Sequence, residues 1–415
     1  MTKPPHLLRD WTLVQDVVEL AAVVDRASGA TTIGIDVEAN GLFVYRPRLC
    51  TVQLAWEEGE RTSIAVIDTL RVDIAALAPL FSATVPIKVL HDLTFDARML
   101  HEHGAPIQNV RDTSVAARLL GLKATGLASV LATELGIVLD KRFQQHDWSR
   151  RPLDPAHLDY LANDVAHLLR LDRALMEKIA ALDIGAEVEA ECAYKLVTAL
   201  ARPRDQRPAY ARIKGVQQLD RTGRAVLMHL VAAREDVAER VDVPPFKVIA
   251  NEVLLELARR RPRSMTDLGR IRGASSGRAG RYVARWIEAI AAGIDAGDVP
   301  ESDRMLFDPP PFDRQAAMRR REIESKLSAF RRAEAQRRGV DEQVVLPGHC
   351  VHELAAILAS TSARDSELAT RIAAVSGIGA KRAEQYGSAL VSLLDTQANA
   401  ESAFMSDEHD DEPAW

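Results

Sequence analysis

An α/β domain built on a mixed sheet, followed by two smaller all-helical domains, is the architecture the sequence predicts. Strand-like and helix-like segments alternate up to about residue 205, and the strand signals vanish beyond about residue 210. The helical remainder falls into two blocks that repeat in order. At 415 residues the chain is also too long for one typical domain.

Each element has its own signal. "TLVQDVVELAAVVDRASG" reads as a helix, and Thr12 and Gln15 have the spacing of a capping box at its start. "TIGIDVE", "RLCTVQLAW" and "RTSIAVID" read as three consecutive strands, the last two separated by the turn-like "EEGE". "VDIAALAPLFSA" is helical, "IKVLHD" is a strand, and "FDARMLHEHG" is a helix stopped by Gly104. "TGLASVLATELG" is a further helix ending at a glycine. "DPAHLDYLANDVAHLLRLDRALMEKIAAL" reads as one long amphipathic helix, with Asp154 as N-cap before Pro155. The Pro- and Arg-rich "ARPRDQRPAYARIKG" then reads as a linker.

The two helical blocks keep a common order. "REDVAERVDVPPF", "LLELARRRP" and "IRG" in the first answer to "RRAEAQRRGVDEQVVLP", "VHELAAIL" and "VSGIGAKRAEQYG" in the second. The expected boundaries are 1–205 for the α/β domain and 210–292 for the first block. A linker over 293–317, the second block over 318–396 and an acidic disordered tail over 397–415 complete the division.

Composition is that of a globular protein, 47% hydrophobic and 27% charged. A net charge of -6 excludes a chain that is basic throughout but leaves room for a local basic groove. Cys50, Cys192 and Cys350 are too scattered for a disulfide framework or a metal knuckle, so buried free thiols in a reducing cytoplasm are expected. "MTKPPHLLRDW" has no signal-peptide pattern, and no apolar run approaches the ~20 residues that span a bilayer. A cytoplasmic protein with no membrane contact and no obligate protein partner is the expectation.

The acidic residues carry the chemistry. Alternation along a strand puts Asp36 and Glu38 on one face, where each disfavours the other's charge. "HDLTFDARML" places Asp96 just after a strand, at the start of a helix. "YLANDVAHLL" puts Tyr160 and Asp164 at i and i+4 on one helix face, beside the apolar stripe of Leu161, Val165 and Leu168. Each of these is ordinary when alone: a strand Asp-x-Glu, a helix N-terminal charge, a surface hydrogen bond. Four carboxylates converging on one sheet edge would need cations, and hard divalent ions such as Mg²⁺ or Mn²⁺ prefer oxygen ligands. A pair of such ions serves phosphodiester hydrolysis, and a phenol beside them can orient or deprotonate a water.

These motifs resemble a known family. "DVE", "HDLTFD" and "YLAND" are similar to the three exonuclease motifs of the DEDD superfamily, in its tyrosine-containing branch. "HDWSRRPLDPAHLDYLANDV", "RDTSVAARLLG" and "ATELGIVLDK" resemble ribonuclease D, and the two helical blocks resemble its paired helicase-and-RNase-D C-terminal (HRDC) domains. The resemblance implies a ribonuclease-H-like mixed-sheet exonuclease domain and two divalent metal ions, Mg or Mn. It assigns metal ligation to Asp36, Glu38, Asp96 and Asp164 and water orientation to Tyr160. Many superfamily members have Asn where His91 stands, and ribonuclease D accepts His there.

Other residues keep two readings. Gln53 and His91 are candidates for lining the site. Trp148, Arg151 and Lys141 are candidates for substrate contact, while Trp148 and Arg151 serve equally well to lock the loop before the long helix. Asp112 is a helix N-cap or an outer partner of the metal site, and His101 and His103 read as surface histidines. "SGIGAKRAEQYG" has the look of a backbone-phosphate cradle, with Lys381 and Arg382 as phosphate contacts; a plain interhelical turn is the other reading.

The function implied is a 3′→5′ exoribonuclease that releases nucleoside 5′-monophosphates and trims 3′ trailers from tRNA precursors and other small structured RNAs. The basic stretches "RRRPRSMTDLGRIRG" and "MRRREIESKLSAFRRAEAQRR" would grip RNA. The alternatives are a DNA-directed exonuclease and a non-catalytic RNA-binding protein with a decayed nuclease core. The five motif positions are intact, which weighs against decay.

Overall fold

A computed structural model describes residues 11–201, 205–308, 313–360 and 367–406. Its first part carries one six-stranded sheet of β1 (Trp11–Val14), β2 (Thr32–Ala39), β3 (Leu49–Glu58), β4 (Arg61–Asp68), β5 (Ile87–Leu90) and β6 (Val110–Asp112). The spatial order is β1-β4-β3-β2-β5-β6. Short connections make β2–β3 and β3–β4 antiparallel. The remaining pairs, β1–β4, β2–β5 and β5–β6, are parallel. The mixed sheet expected from the sequence is therefore present.

Its first strand corrects the sequence reading. Residues 11–14 join the sheet edge alongside Ile64–Ile67, and Val14 is fully buried there. Thr12 and Gln15 accordingly do not cap a helix. Asp16 does, accepting the N–H of Val18 and of Glu19 at 2.9 Å each at the start of α1 (Val17–Ser28).

Next come α2 (Ala78–Ser82), α3 (Thr94–Glu102), α4 (Thr113–Leu119) and α5 (Leu127–Leu135). The long helix expected over 155–182 is two helices, α6 (Pro155–Ala166) and α7 (Leu168–Ala181), joined at His167. This joint lies over β2. A Cβ on Gly34 would sit 3.4 Å from the Leu168 Cβ and 3.6 Å from the Val165 carbonyl oxygen. The missing side chain lets the joint settle directly on the strand that carries Asp36 and Glu38. A further helix, α8 (Gly185–Leu200), was not foreseen. Its buried residues include Glu187, Glu191 and Cys192 beside Val188, so charge interrupts the apolar stripe that would reveal it.

The sheet's two faces are packed separately. Ile33, Ile35, Val37, Val52 and Leu54 pack with Leu20 and Leu100. On the other face Ala55 and Val89 meet Ala162, Val165 and Leu168, and Val66 meets Trp148, Leu158 and Leu161. Helix α6 thus lies on the same face as Asp36 and Glu38.

The helical region begins with α9 (Arg221–Arg240), α10 (Pro245–Val248), α11 (Asn251–Arg260), α12 (Met265–Gly269) and α13 (Val283–Ala296). After the short α14 (Glu301–Arg304) come α15 (Arg314–Arg338), α16 (Glu342–Val345), α17 (Gly348–Ala359), α18 (Leu368–Ala373) and α19 (Ala380–Ser406). Both blocks run long, one turn, medium, short, long, the order the repeat in sequence anticipated. Leu227, Leu230, Leu254, Leu257 and Trp286 belong to the first core. Ile323, Leu327, Leu354, Leu358 and Leu390 belong to the second. Helix α19 continues to Ser406, so residues 397–406 of the expected disordered tail are helical; the rest of that tail lies outside the described residues. No helix among the described residues is long and apolar enough to cross a membrane.

Each block is seated on a different part of the α/β domain. The loop after β2 meets the first: the Tyr45 N–H donates to Asp242 Oδ1 at 3.1 Å, and Arg46 pairs with Glu239 at 2.6 Å. Lys247 Nζ stands 4.5 Å from the centre of the Phe43 ring. Helix α8 meets the second: the rings of Tyr194 and His349 stack at 3.7 Å.

Candidate metal centre and nuclease site

Two elements bring three of the acids together. β2 presents Asp36 and Glu38, α6 presents Asp164, and oxygens from these carboxylates lie within 4.8 Å of one another. The strand's register slips between Glu38 and Ala39, so the chain turns away immediately after the second acid. Opposite Asp36 on β3 stands Gln53, and opposite Glu38 stands Thr51; both are fully buried. Gln53 Nε2 donates to Thr51 Oγ1 at 2.7 Å, and Gln53 Oε1 has no hydrogen-bond partner. Sequence reasoning flagged Gln53 but missed Thr51, because only the strand register makes it a neighbour.

Asp96 stands in the first turn of α3 and is buried. It lies outside the three-carboxylate cluster, and its carboxyl still feels the charges of Asp36 and Glu38. Burial pushes its pKa well up, and those two carboxylates push it further. Burial likewise raises Asp36 to about 7. It raises Glu38 to about 8, with Asp36 adding to the effect. Asp164 is lifted by burial and then by Asp36 and Glu38. Asp140, from the loop before α6, adds to that and also acts on Tyr160; nothing local in the sequence singled it out.

Tyr160 is buried one turn before Asp164. Burial and the surrounding carboxylates raise its pKa, so the phenol keeps its proton at neutral pH. Trp148 stacks on it at 5.7 Å, and Phe143 meets its ring edge-on at the same distance. Trp148 is 1% exposed. Its indole nitrogen has no partner at hydrogen-bond geometry, yet its N–H lies close enough to Glu38 to favour that carboxylate's charged form.

Arg151 has the locking arrangement. Its guanidinium donates to both oxygens of the buried Asp68, at 2.8 and 2.6 Å, and to the carbonyls of Cys50 and Trp148 at 2.9 and 2.6 Å. The loop bearing Trp148 is thereby fastened to β3 and β4. His91 donates or accepts through Nδ1 with Thr113 Oγ1 at 2.8 Å, and its Nε2 is buried without a partner. Lys141 is exposed on the loop before α6.

Lys381 and Arg382 are not placed as phosphate contacts. Arg382 is 1% exposed. It donates to the carbonyls of Val344, Gly377, Ile378 and Gln343 at 2.8 to 3.2 Å. Lys381 pairs with Asp183 at 3.1 Å and with Glu187 at 3.3 Å. The glycine turn of the second block therefore docks on α8 and its preceding residues. It is a joint within the chain: Lys381 reaches the exposed Asp183 and the buried Glu187, and Arg382 lies 3.9 Å from the buried Glu191.

The chemistry of the donor set fits a hard divalent cation. All the convergent groups are carboxylates, and their raised pKa values record how costly their charges are without a counter-ion. A carboxyl whose folded pKa exceeds its unfolded value stabilises the fold fully at low pH. That contribution is lost as pH rises through the folded pKa. For Asp36 and Glu38 the loss runs from the ordinary carboxylate range up through about 7 and 8. Added Mg²⁺ or Mn²⁺ should therefore raise the melting temperature much more at about pH 8.5 than at about pH 5.5. An equal rise at both values would count against a cation at these carboxylates.

The chain is similar to several known proteins. Residues 11–180 match the family described as "3'-5' exonuclease", and residues 223–290 match the HRDC domain. The chain is 32% identical to ribonuclease D of Gluconacetobacter diazotrophicus over 309 residues, covering 73% of this chain and 77% of the relative. It is 33% identical to ribonuclease D of Acidiphilium cryptum, with the same two shares. Among solved structures, Escherichia coli RNase D superposes with a TM-score of 0.66 at 23% identity, covering 93% of this chain and 99% of that one. The catalytic core of RRP6 from Trypanosoma brucei does so with a TM-score of 0.59 at 23% identity, over 71% and 84%. These two likenesses support the shared fold. With the exonuclease and HRDC regions in this order, and with relatives this similar over most of their length, the chain belongs to the ribonuclease D family of 3′→5′ exoribonucleases.

Proposed function

We propose that this chain trims RNA 3′ ends one nucleotide at a time, with two divalent ions, Mg²⁺ or Mn²⁺, and releases nucleoside 5′-monophosphates. The observation that carries the reading is the meeting of Asp36, Glu38 and Asp164 from two elements within 4.8 Å. Asp36 would serve both ions, Glu38 and Asp164 one of them, and Asp96 the other. Bound there, the ions supply Lewis acidity to the phosphodiester and ease deprotonation of water. The chain's own groups do the rest. Tyr160, held protonated, orients the attacking water by a hydrogen bond. Trp148 and Phe143 fix the phenol's direction, and Arg151 fixes Trp148.

The substrates proposed are tRNA precursors with 3′ extensions and other small structured RNAs; the relatives are ribonucleases D, and the Escherichia coli enzyme is an exoribonuclease involved in structured RNA processing. The second helical block, with the element order of the first, is read as a second HRDC-type domain. Charge pairing takes some basic residues away from RNA, while in the first stretch Arg263 and Arg272 stay exposed with no ion-pair partner among the described residues. In the first block Arg260 pairs with Glu256, Arg261 with Asp220 and Arg270 with Asp267. The end of α15 is similarly engaged, Arg331 with Glu342 and Arg337 with Glu334. Its opening turns differ. Arg314, Arg319 and Arg321 are exposed and have no ion-pair partner among the described residues. Replacing all three by Gln should flatten the plot of log affinity against log salt by about 2 to 3, near 0.7–0.9 per lost phosphate contact. An unchanged slope would move the RNA path elsewhere.

The deciding experiment compares a 3′-extended tRNA precursor with DNA of the same sequence, with Mg²⁺ and with a chelator. Mg²⁺-dependent release of nucleoside 5′-monophosphates from RNA alone is expected. Equal rates on DNA would select a DNA-directed enzyme, and retention of RNA without hydrolysis would select a non-catalytic binder.

A further inference from the structure

Asp112 ends β6 and caps α4, and it is 1% exposed. Its carboxylate also holds a different segment, the turn between β5 and α3. Oδ1 accepts the N–H of Asp92 at 2.9 Å and of Ser114 at 2.8 Å. Oδ2 accepts the N–H of Leu93 at 3.0 Å. Leu93 is the residue that opens α3, which has no side-chain cap of its own. Asp92 has φ +63°, a left-handed backbone uncommon outside glycine although easier for Asp than for most residues. Asp96 follows within one turn of helix.

A lysine completes the arrangement. Lys195 Nζ, from α8, lies 2.6 Å from Asp112 Oδ2, 2.8 Å from Asp92 Oδ1 and 3.1 Å from Ser114 Oγ. One ammonium thus ties α8 to the β5–α3 turn and to the start of α4. It also neutralises an anchor that would otherwise add a further buried negative charge near Asp96. Neither residue is among the convergent carboxylates. The next residue back on α8, Tyr194, is the one that stacks on His349 of the second block.

We propose that Asp112 and Lys195 are positioning residues for Asp96: the pair fixes the β5–α3 turn so that this carboxylate faces Asp36 and Glu38. The proposal rests on the reading of Asp96 as a metal-site carboxylate. Outer partners that orient a ligand typically change metal affinity or activity by about 10- to 100-fold when lost.

The test uses the full chain with Lys195→Met, Lys195→Arg and Asp96→Asn. Lys195→Met should lower kcat on a single-stranded RNA 3′ end by roughly 10- to 100-fold, with KM for RNA changed less than about twofold. The Mn²⁺ concentration that half-saturates the rise in melting temperature should increase about tenfold. Lys195→Arg should restore both values to within about threefold. Unchanged kcat and unchanged Mn²⁺ midpoint in a folded Lys195→Met overturn the proposal, even if its melting temperature falls. Should that variant not fold, the same two readouts on Lys195→Gln decide in the same way. Asp96→Asn separates the two ideas: wild-type kcat and Mn²⁺ midpoint there would sink the site reading itself, whereas an inactive Asp96→Asn beside an unaffected Lys195→Met sinks only the positioning role.

Discussion

Asp36→Asn should abolish hydrolysis while making the cation-free protein more stable. Asn keeps the shape and removes the charge of a residue whose carboxylate lies within 4.8 Å of those of Glu38 and Asp164. Loss of activity by roughly 10³-fold or more is expected, about 4 kcal/mol of transition-state stabilisation. The stability change has the opposite sign because the folded state carries Asp36 at a cost. Burial holds its pKa at about 7, so at higher pH the native protein must keep an ionised group in an unfavourable place. The Asn variant removes that cost and eases the repulsion on Glu38. In a chelator at about pH 8.5 its melting temperature should exceed the parent's, and added Mg²⁺ should raise it far less than it raises the parent's. Full activity in a folded variant would dismiss the metal site. A lower chelated melting temperature would mean that Asp36 helps the fold rather than straining it.

The parts of this site that were legible are those set by short-range geometry. Asp36 and Glu38 face the same way because strand side chains alternate, and Tyr160 and Asp164 align because helix neighbours recur at i+4. Both relations survive without knowing what the segments touch. The joint between α6 and α7 was not legible, since it depends on the bare Gly34 of a distant strand receiving Leu168. Helix α8 was missed for a related reason. Its inward face carries Glu187, Glu191 and Lys195, whose partners Arg338, Arg382 and Asp112 come from remote segments, so the face reads as polar. Residues 11–14 failed differently: β-sheet pairing with β4 overrode a plausible local cap. In each case the winning contact lies far away in sequence.

The same cause explains the fate of "SGIGAKRAEQYG", and it yields the second large effect. Lys381 reaches Asp183 across 198 residues, and Arg382 lies among four carbonyls with the Glu191 carboxylate 3.9 Å away. Burial pulls the Arg382 pKa down, with Glu191 opposing, and the guanidinium keeps its charge. Arg382→Met keeps much of the volume but strips the donors from those carbonyls and leaves Glu191 short of a buried counter-charge. Removing one partner from such an arrangement costs about 3–5 kcal/mol. The loss should fall on the second block and its seat on α8. Calorimetry should show an earlier transition for part of the molecule, and amide exchange should quicken in α16 to α19 before the sheet opens. Lys381→Gln supplies the contrast, because its side chain is 30% exposed, its partner Asp183 is exposed, and the buried Glu187 it also reaches keeps Arg338 at 3.6 Å. It should shift stability by at most about 1 kcal/mol and leave the salt dependence of RNA binding unchanged. A flatter salt slope in Lys381→Gln, or weakened RNA binding with undiminished stability in Arg382→Met, would return these residues to the RNA surface. Without either result, the glycine turn is the hinge pin that seats the second block on the nuclease domain.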